Sequence, residues 1–389
     1  MLGAVVLLAL LDVSGFVSLR GVNATGPNSW VEGGWGRLGA GGDRDEAIGV
    51  GQIGVDWTPS QWFDLHVSGG ARRDGGTDHA GLIEAHANLR ASFGLDEVQL
   101  RAGQFFLPTS RENKDDLWQS PYTISFSALN SWIGEELRPV GVDLQYRHIT
   151  SAGHTFTGGA TAFRGNDTMG ALLAWRGWAV GDRLSTYDEV LPLPPLPTLD
   201  TFFAAQRDDG TQPFGRDLDG NTGYSARVRY TVPQRANVQY TFVDNRGDRA
   251  LYRGEYAWAT SFHLLGAEIG NPDDLVFVAE YMTGTTGMGH APSFVDSGFY
   301  AAYALLSEKR NRNRWTARYE IFKTSEEDFS AAESNEENGR SWTLTWFFDL
   351  TEKMRLGAEL TQVTGDRPGT PDPDGRAFTL EARYRWSKR

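Results

Sequence analysis

The sequence predicts an all-β protein, a single antiparallel up-and-down barrel that crosses a membrane with its strands. Segments of about ten residues alternate apolar and polar side chains along the chain, which is typical of strands that show each face to a different environment. The connections alternate between short turns and long polar loops, as in a barrel whose two rims differ. No segment reaches the roughly 18 uninterrupted apolar residues of a membrane-spanning helix.

The last predicted strand, residues 378–386, shows the alternation clearly, with apolar side chains on one face and charged ones on the other. A sheet that repeats this pattern so often must be closed or very large. We predict sixteen strands, at residues 16–21, 47–57, 62–73, 81–93, 98–106, 139–148, 155–164, 224–232, 237–244, 255–269, 275–283, 299–308, 315–323, 341–349, 354–363 and 378–386. A segment at residues 169–180 is either a further strand or a packed loop, and eighteen strands are the alternative count.

The first fourteen residues contain an apolar run at residues 4–11 with no basic residue before it. They resemble the apolar part of a secretory signal, and an N-terminal apolar strand is the alternative. We therefore assign residues 1–14 to a signal remnant and residues 15–389 to one barrel domain. The absence of cysteine suits passage through an oxidising compartment. The formal net charge of −13 argues against a nucleic-acid partner.

Two long stretches interrupt the alternation. Residues 108–137 are aromatic, and residues 126–133 are apolar enough to form a helix. Residues 165–222 include the run LPLPPLP at residues 191–197, which cannot join a central strand because proline lacks a backbone donor. Loops of this length inside a compact architecture are usually functional or disordered.

The two faces of the predicted strands differ in chemistry. Tyr and Trp favour the lipid headgroup level, and aromatic residues gather near strand ends on the apolar face: Trp57, Tyr146, Tyr224, Tyr230, Tyr281, Tyr303, Trp315, Tyr319, Trp342, Trp346, Tyr384 and Trp386. Arginines dominate the other face: Arg20, Arg72, Arg90, Arg101, Arg147, Arg227, Arg229, Arg314, Arg318, Arg355, Arg383 and Arg385. Acids are fewer there: Asp56, Asp64, Glu84, Asp143, Glu280, Glu320, Glu359 and Glu381. Burying unpaired charges costs several kcal/mol each, so we expect a water-filled interior.

Four stretches of the chain resemble the Gram-negative outer-membrane porins, most closely the sixteen-stranded phosphate-selective (porin O and P) or general type. They are GFVSLRG at residues 15–21, IGVDWTPSQWFDLHVSGGARR at residues 53–73, LRAGQFFLPTSRENKD at residues 100–115 and the aromatic-terminated final strand. The resemblance covers essentially the whole mature chain as a pattern. It implies a location in the cell outer membrane, among lipid and lipopolysaccharide. It also implies a homotrimer, and contact of the C-terminal strand with the barrel-assembly machinery.

The resemblance further implies that residues 108–137 fold inward as the third extracellular loop and constrict the pore, while residues 165–222 form a long extracellular loop. The charged residues of the constriction loop are Arg111, Glu112, Lys114, Asp115, Asp116, Glu135 and Glu136. The basic residues expected to face them from the wall are Arg20, Arg72, Arg90, Arg101, Arg355 and Arg383. Opposed charges across a narrow neck create a transverse field that sets ion preference. The alternative is that many of these side chains only pair with neighbouring acids across strands.

Other chemistry finds little support in the sequence. His66 and His86 are the one histidine pair considered as metal ligands, and two ligands make an incomplete site. The acidic loops at residues 245–248 and near Asp372 are weak calcium candidates. We expect no cofactor and no enzymatic activity. The sequence thus predicts a porin for passive diffusion of ions and small hydrophilic solutes. The alternatives are an anion- or phosphate-selective channel with an arginine-lined lumen, and a barrel adhesin or enzyme that uses residues 165–222.

Overall fold

The computed structural model describes residues 11–74, 78–206, 210–328 and 334–387. In this part of the chain, sixteen antiparallel strands form a closed barrel in which the first strand pairs with the last. The predicted sixteen-stranded barrel is therefore confirmed. The strands are β1 (Leu11–Thr25), β2 (Arg44–Ser60), β3 (Phe63–Arg73), β4 (His79–Phe93), β5 (Asp96–Gln104), β6 (Val140–Ile149), β7 (Thr155–Arg164), β8 (Gly223–Val232), β9 (Ala236–Asp244), β10 (Ala259–Gly270), β11 (Leu275–His290), β12 (Ser293–Arg310), β13 (Asn313–Glu326), β14 (Glu337–Asp349), β15 (Met354–Asp366) and β16 (Gly375–Trp386).

The barrel begins earlier than the sequence suggested. Leu11 pairs with Trp57 of β2, and the pairing continues through residues 12–14. Residues 11–14, which the sequence assigned to a signal remnant, form the start of β1 in the structure. An apolar strand and an apolar signal segment look alike in composition. The rest of the predicted remnant, residues 1–10, lies outside the described residues.

Among the described residues, two α-helices lie between strands, α1 (Ala128–Glu136) and α2 (Ala171–Trp175). The segment at residues 169–180 that was considered as an extra strand therefore contains a short helix instead. The predicted strand at residues 255–269 is divided, since Leu251–Tyr252 and Glu255–Tyr256 form a small hairpin outside the barrel and β10 starts at Ala259. In the part of the chain that the structure describes, no helix is long and apolar enough to cross a membrane.

The two ends of the barrel differ in their connections. At one end, the short-turn end, seven turns of two to five residues join the strands. At the other, the long-loop end, the connections include residues 26–43, 105–139 and 165–222. Both chain ends of the described barrel, Leu11 and Ser387, belong to the short-turn end, because β1 runs away from it and β16 runs toward it.

The outer surface of the barrel is apolar and the inner surface is polar, as the alternation predicted. Leu19, Val228 and Leu344 are exposed on the outside, while Ser18, Arg227 and Thr343 face inward and are buried. Tyr303 is an exception to the predicted aromatic set. It is buried and donates a hydrogen bond to the Glu280 carboxylate inside the barrel at 2.7 Å. The prediction that it faces lipid is wrong, because β12 is apolar on both faces at this point.

Candidate pore and its two inserted loops

The third loop, residues 108–137, lies inside the barrel and is held by carboxylates of the wall. The Glu359 carboxylate accepts hydrogen bonds from the backbone N–H groups of Ile124 and Ser125, at 2.6 and 2.9 Å. Glu320 accepts one from the N–H of Ala128, the first residue of α1, at 2.6 Å. A negative charge near a helix N-terminus is favourable because the helix dipole is positive there. Inward-facing acids of the strands therefore fix the path of the loop backbone.

Glu112 of the third loop forms an ion pair with an arginine of the barrel wall. Its carboxylate lies 2.7 Å from Nη1 of Arg318 on β13, and neither side chain is exposed to solvent. Glu112 also accepts hydrogen bonds from the Ser127 hydroxyl and the Asn130 amide, at 2.7 and 2.9 Å. A buried ion pair is tolerated when further hydrogen bonds satisfy its oxygens, as they do here. The pair joins the start of α1 to the barrel wall.

The fourth loop, residues 165–222, also folds into the barrel over much of its described length. Its helix α2 is fully buried, and Trp178 packs against Trp132 of α1 with ring centroids 6.2 Å apart. Trp132 in turn contacts Phe262 of β10, with centroids 5.4 Å apart and planes at 73°. The interior at this level is thus packed apolar structure. This differs from the expected water-filled lumen, because the inserted loops supply both an apolar core and partners for the charged wall.

Asp182 is the residue that ties the fourth loop to the early strands. Its carboxylate oxygens lie 2.7 Å from Nη1 of Arg20 on β1 and 2.9 Å from Nη1 of Arg72 on β3. Burial alone would raise the pKa of the Asp182 carboxyl, but the two guanidinium groups outweigh burial and hold that pKa at about 2. Arg20 and Arg72, predicted to face acids of the third loop, instead bind this fourth-loop acid.

The end of α1 contacts the fourth loop through two adjacent acids. Glu135 lies 2.7 Å from Nη2 of Arg176, and both side chains are buried. Glu136 accepts hydrogen bonds from the N–H groups of Gly170 and Leu172 at the start of α2, each at 3.0 Å. Burial raises the pKa of the Glu136 carboxyl to about 7, although these hydrogen bonds favour its charged form. The two inserted loops are therefore joined to each other as well as to the wall.

A cavity of about 770 Å³ lies at the short-turn end, below the tip of the third loop. Asp115 and Asp116 line it from the loop, and Arg355 and Arg383 line it from β15 and β16. The structure thus brings two of the predicted loop acids and two of the predicted wall arginines to the same solvent space. We call this space the vestibule.

The remaining predicted site residues lie elsewhere on the wall or the loop. Arg90 pairs with Asp64 at 2.8 Å, and Arg101 donates to the Asn88 side chain at 3.0 Å. Lys114 of the third loop lies 2.7 Å from Glu268 of β10. The other charged loop residue is Arg111, whose backbone N–H donates to Glu280 at 2.8 Å.

Side chains that were considered as metal ligands have other partners. The rings of His66 and His86 stack with centroids 5.1 Å apart, and Nδ1 of His66 lies 2.7 Å from the Asp56 carboxylate. Within the described ranges, the one group of three acidic or histidine side chains close enough to share an ion is Asp167, Asp217 and Asp219, beside the entry and exit of the fourth loop. It includes neither His66 nor the acidic loops at residues 245–248 and near Asp372.

Sequence reasoning missed Asp182, and it gave no loop partner to Arg318. Asp182 lies in a stretch without periodicity, 162 residues beyond Arg20 and 110 beyond Arg72. Arg318 was placed on the inner face, but its partner Glu112 is 206 residues away in sequence. Such contacts depend on how the loops enter the barrel, and no local sequence pattern predicts that path.

Comparison with known proteins relates the chain to others through its fold. No family model matches the sequence, and no curated protein is similar to it in sequence. The solved structures that share its architecture include three outer-membrane channels. OmpF of Salmonella typhi is 11% identical with a TM-score of 0.57, over 97% of each chain. The outer membrane channel DcaP of Acinetobacter baumannii is 11% identical with a TM-score of 0.56, over 97% of each chain. An anion-selective porin from Comamonas acidovorans is 10% identical with a TM-score of 0.50, over 97% of this chain and 99% of that one. The chain therefore has the closed sixteen-stranded fold of the Gram-negative porins.

Proposed function

We propose that the chain is a porin of the Gram-negative outer membrane, a channel for passive diffusion of ions and small hydrophilic solutes. The observation that carries this proposal is the combination of an apolar outer surface with a charged internal cavity of about 770 Å³. A closed barrel satisfies every strand edge, and an apolar band around it suits lipid. A polar cavity with this lining holds water, and water is what a diffusing ion requires.

The third loop sets the ion preference of this channel. Asp115 and Asp116 on the loop and Arg355 and Arg383 on the wall line the same vestibule. Opposed charges across a solvent space of this kind create a field that orients polar solutes. An anion-selective channel is the alternative within the same class, supported by the predominance of basic over acidic side chains in the vestibule lining.

The fourth loop narrows the channel at the long-loop end. Its residues from Met169 to Val180 are buried among the third loop and the wall. An adhesin would present this segment outward, so the inward packing favours a channel over an adhesin. The same packing favours a small diffusing solute over a large one.

The lipid-facing surface implies further partners. We propose that outer-membrane lipid and lipopolysaccharide contact the apolar band and that the chain assembles as a homotrimer, as the resemblance to porins suggests. The barrel-assembly machinery would engage β16, which ends in Trp386 and closes the barrel against β1. These partners follow from the proposed location.

The test is single-channel recording of the refolded protein in a planar bilayer, with the reversal potential measured under a potassium chloride gradient. The proposal predicts stepwise open currents. A weak ion preference would indicate a general porin, and a strong anion preference that phosphate reduces would indicate the anion-selective alternative. Well-folded, heat-modifiable barrels that give no current would overturn the proposal.

A further inference from the structure

The tip of the third loop, residues 114–119, contacts two opposite walls of the barrel. The Lys114 ammonium lies 2.7 Å from the Glu268 carboxylate of β10. Further along the tip, the Leu117 side chain lies against β2, where a Cβ on Gly54 would be only 2.7 Å from Cδ2 of Leu117. Strands β2 and β10 are eight positions apart in the ring of sixteen strands. The tip therefore crosses the barrel interior from one side to the other.

Leu117 contacts the wall at a notch of small residues. Gly54 is buried, and in the strand register it is paired with Ser14 of β1 and Ser68 of β3. Three small residues thus lie side by side on the inner face of neighbouring strands. Glycine inside a strand often marks the close approach of another group. Any larger residue at Gly54 would overlap the Leu117 side chain, so the wall leaves room for Leu117 at this position.

The backbone that carries Leu117 is strained. Leu117 and Trp118 are consecutive residues with positive φ angles, 58° and 56°, in the left-handed region that residues other than glycine seldom adopt. Such a conformation persists only where surrounding contacts hold it, and it is frequent at functional sites. Trp118 stacks on Phe106 with ring centroids 4.4 Å apart and planes at 8°. The Asp115 N–H donates to the Gln119 carbonyl at 3.0 Å and closes the turn. These contacts direct Leu117 toward the notch.

Solvent-lined space lies on both sides of the tip. The vestibule is on the side of β1, β15 and β16, and Leu117 belongs to its lining. On the other side, Arg90 of β4 and Arg147 of β6 face the interior with side chains that are 43% and 41% exposed. A line from β2 to β10 separates these two groups of strands. The tip lies along this line, between the two spaces.

We propose that Leu117, seated against Gly54, limits the size of the solutes that the channel passes. The contact holds the third-loop tip across the interior and keeps two narrow passages apart. Without it, the tip loses its support on β2 and the two passages merge into one wider opening. The inference rests on the proposed porin function, and it adds to that function the residue pair that determines solute size.

A disulfide tests the contact without requiring current, because the chain contains no other cysteine. Gly54→Cys and Leu117→Cys are combined in one refolded barrel, which is reduced and then oxidised, and mass spectrometry of a digest reports the cross-link. We expect the pair to form a disulfide, which requires Cβ atoms about 4 Å apart. Gly49→Cys with Leu117→Cys is the matched control, because Gly49 lies on the same strand but is paired with Leu19, which is exposed on the outer surface. The control pair should stay reduced.

Single-channel recording with polyethylene glycols of graded size measures the solute limit. Leu117→Ala removes the methyl groups that contact β2, and Gly54→Val excludes Leu117 from the notch. We expect each variant to shift the exclusion limit to larger polymers and to raise the conductance. Gly49→Val is the control for a valine on β2, and it should keep the exclusion limit of the original chain.

An unchanged exclusion limit in correctly folded Leu117→Ala and Gly54→Val barrels would overturn the proposed size limit, as would absence of the Gly54→Cys and Leu117→Cys disulfide. The failure of this inference differs from the failure of the proposed function. Current without the cross-link would reject the Leu117 contact and retain the porin. A cross-link without current in any variant would instead reject the porin, on which the size limit depends.

Discussion

The two ends of the barrel interior differ in what fills them, although the same alternating strands line both. Toward the long-loop end, the third and fourth loops bury an aromatic cluster that includes Trp132 and Trp178, and the wall charges find loop partners. At the short-turn end, Arg355 and Arg383 line an open cavity and share the Glu381 carboxylate. The inserted loops, more than the strands, therefore determine where the barrel interior is filled and where it stays open.

Removal of the Asp182 carboxylate should have the largest effect on how completely the loops fill the long-loop end of the barrel. Asp182→Ala leaves Arg20 and Arg72 without their fourth-loop partner, and breaking a buried ion pair costs about 3 to 5 kcal/mol. We expect the fourth loop to detach in part and single-channel conductance to rise. Asp200→Ala is the control, since Asp200 is an exposed acid of the same loop. Unchanged conductance in a correctly folded Asp182→Ala barrel would show that this contact does not restrict the channel.

Low pH should weaken the contact of Asp182 with Arg20 and Arg72 in the unmodified chain. The pKa of Asp182 is about 2 in the folded barrel, below its ordinary value of 3.8. A carboxyl with a lowered folded pKa stabilises the fold above its unfolded pKa, and this stabilisation is lost as pH falls through the folded value. We therefore expect conductance to change between about pH 4 and pH 2 in the original chain, while Asp182→Ala lacks this particular step. A step of equal size in both proteins would assign it to other groups.

Neutralising the acids of the third-loop tip should have a smaller effect, confined to ion preference. The double variant Asp115→Asn and Asp116→Asn leaves the vestibule basic residues in place. We expect the reversal potential to shift toward anions with little change in conductance, because the cavity keeps its size. A reversal potential equal to that of the original chain would place these two acids outside the ion path.

The smallest effect is expected at Arg90. Its side chain is 43% exposed and already paired with Asp64, and exposed ion pairs contribute little. Arg90→Glu should shift the reversal potential slightly toward cations. The same substitution at Arg101, which is more buried and bonds Asn88, should shift it further. If neither charge reversal moves the reversal potential, these two arginines do not contribute to selectivity.

The sequence predicted the barrel well because each strand carries its own local signal. The alternation of apolar and charged residues marks the inner face of β16 without reference to any other strand. The prediction of which face lies inside fails where this alternation is missing. On β12, Ala301, Ala302, Ala304 and Leu305 surround Tyr303, so no polar neighbour shows which face is inside. At residues 11–14, where β1 begins, the composition likewise suits both an apolar strand and an apolar signal segment.

The candidate site was harder to predict from the sequence because its contacts join distant parts of the chain. Arg355 and Arg383 were placed on the inner wall from their strands alone, and Asp115 and Asp116 from the resemblance to porins. The ion pairs of Asp182 and Arg318 depend on the path of two loops with no periodicity. The sequence predicted that residues 165–222 form an external loop, because prolines and glycines do not indicate whether a loop turns into the barrel or away from it. Only the packing of its buried residues shows that the segment turns inward.

The most direct test of the account is whether current passes the third-loop tip. The chain contains no cysteine, so Asp116→Cys can be modified alone with a bulky, charged thiol reagent during single-channel recording. Asp116 lines the vestibule, whereas the control Val228→Cys replaces a side chain that is 60% exposed on the outer surface. We predict that modification reduces the current through Asp116→Cys and leaves Val228→Cys unchanged. Full current after complete modification of Asp116→Cys would contradict a channel that runs through this vestibule.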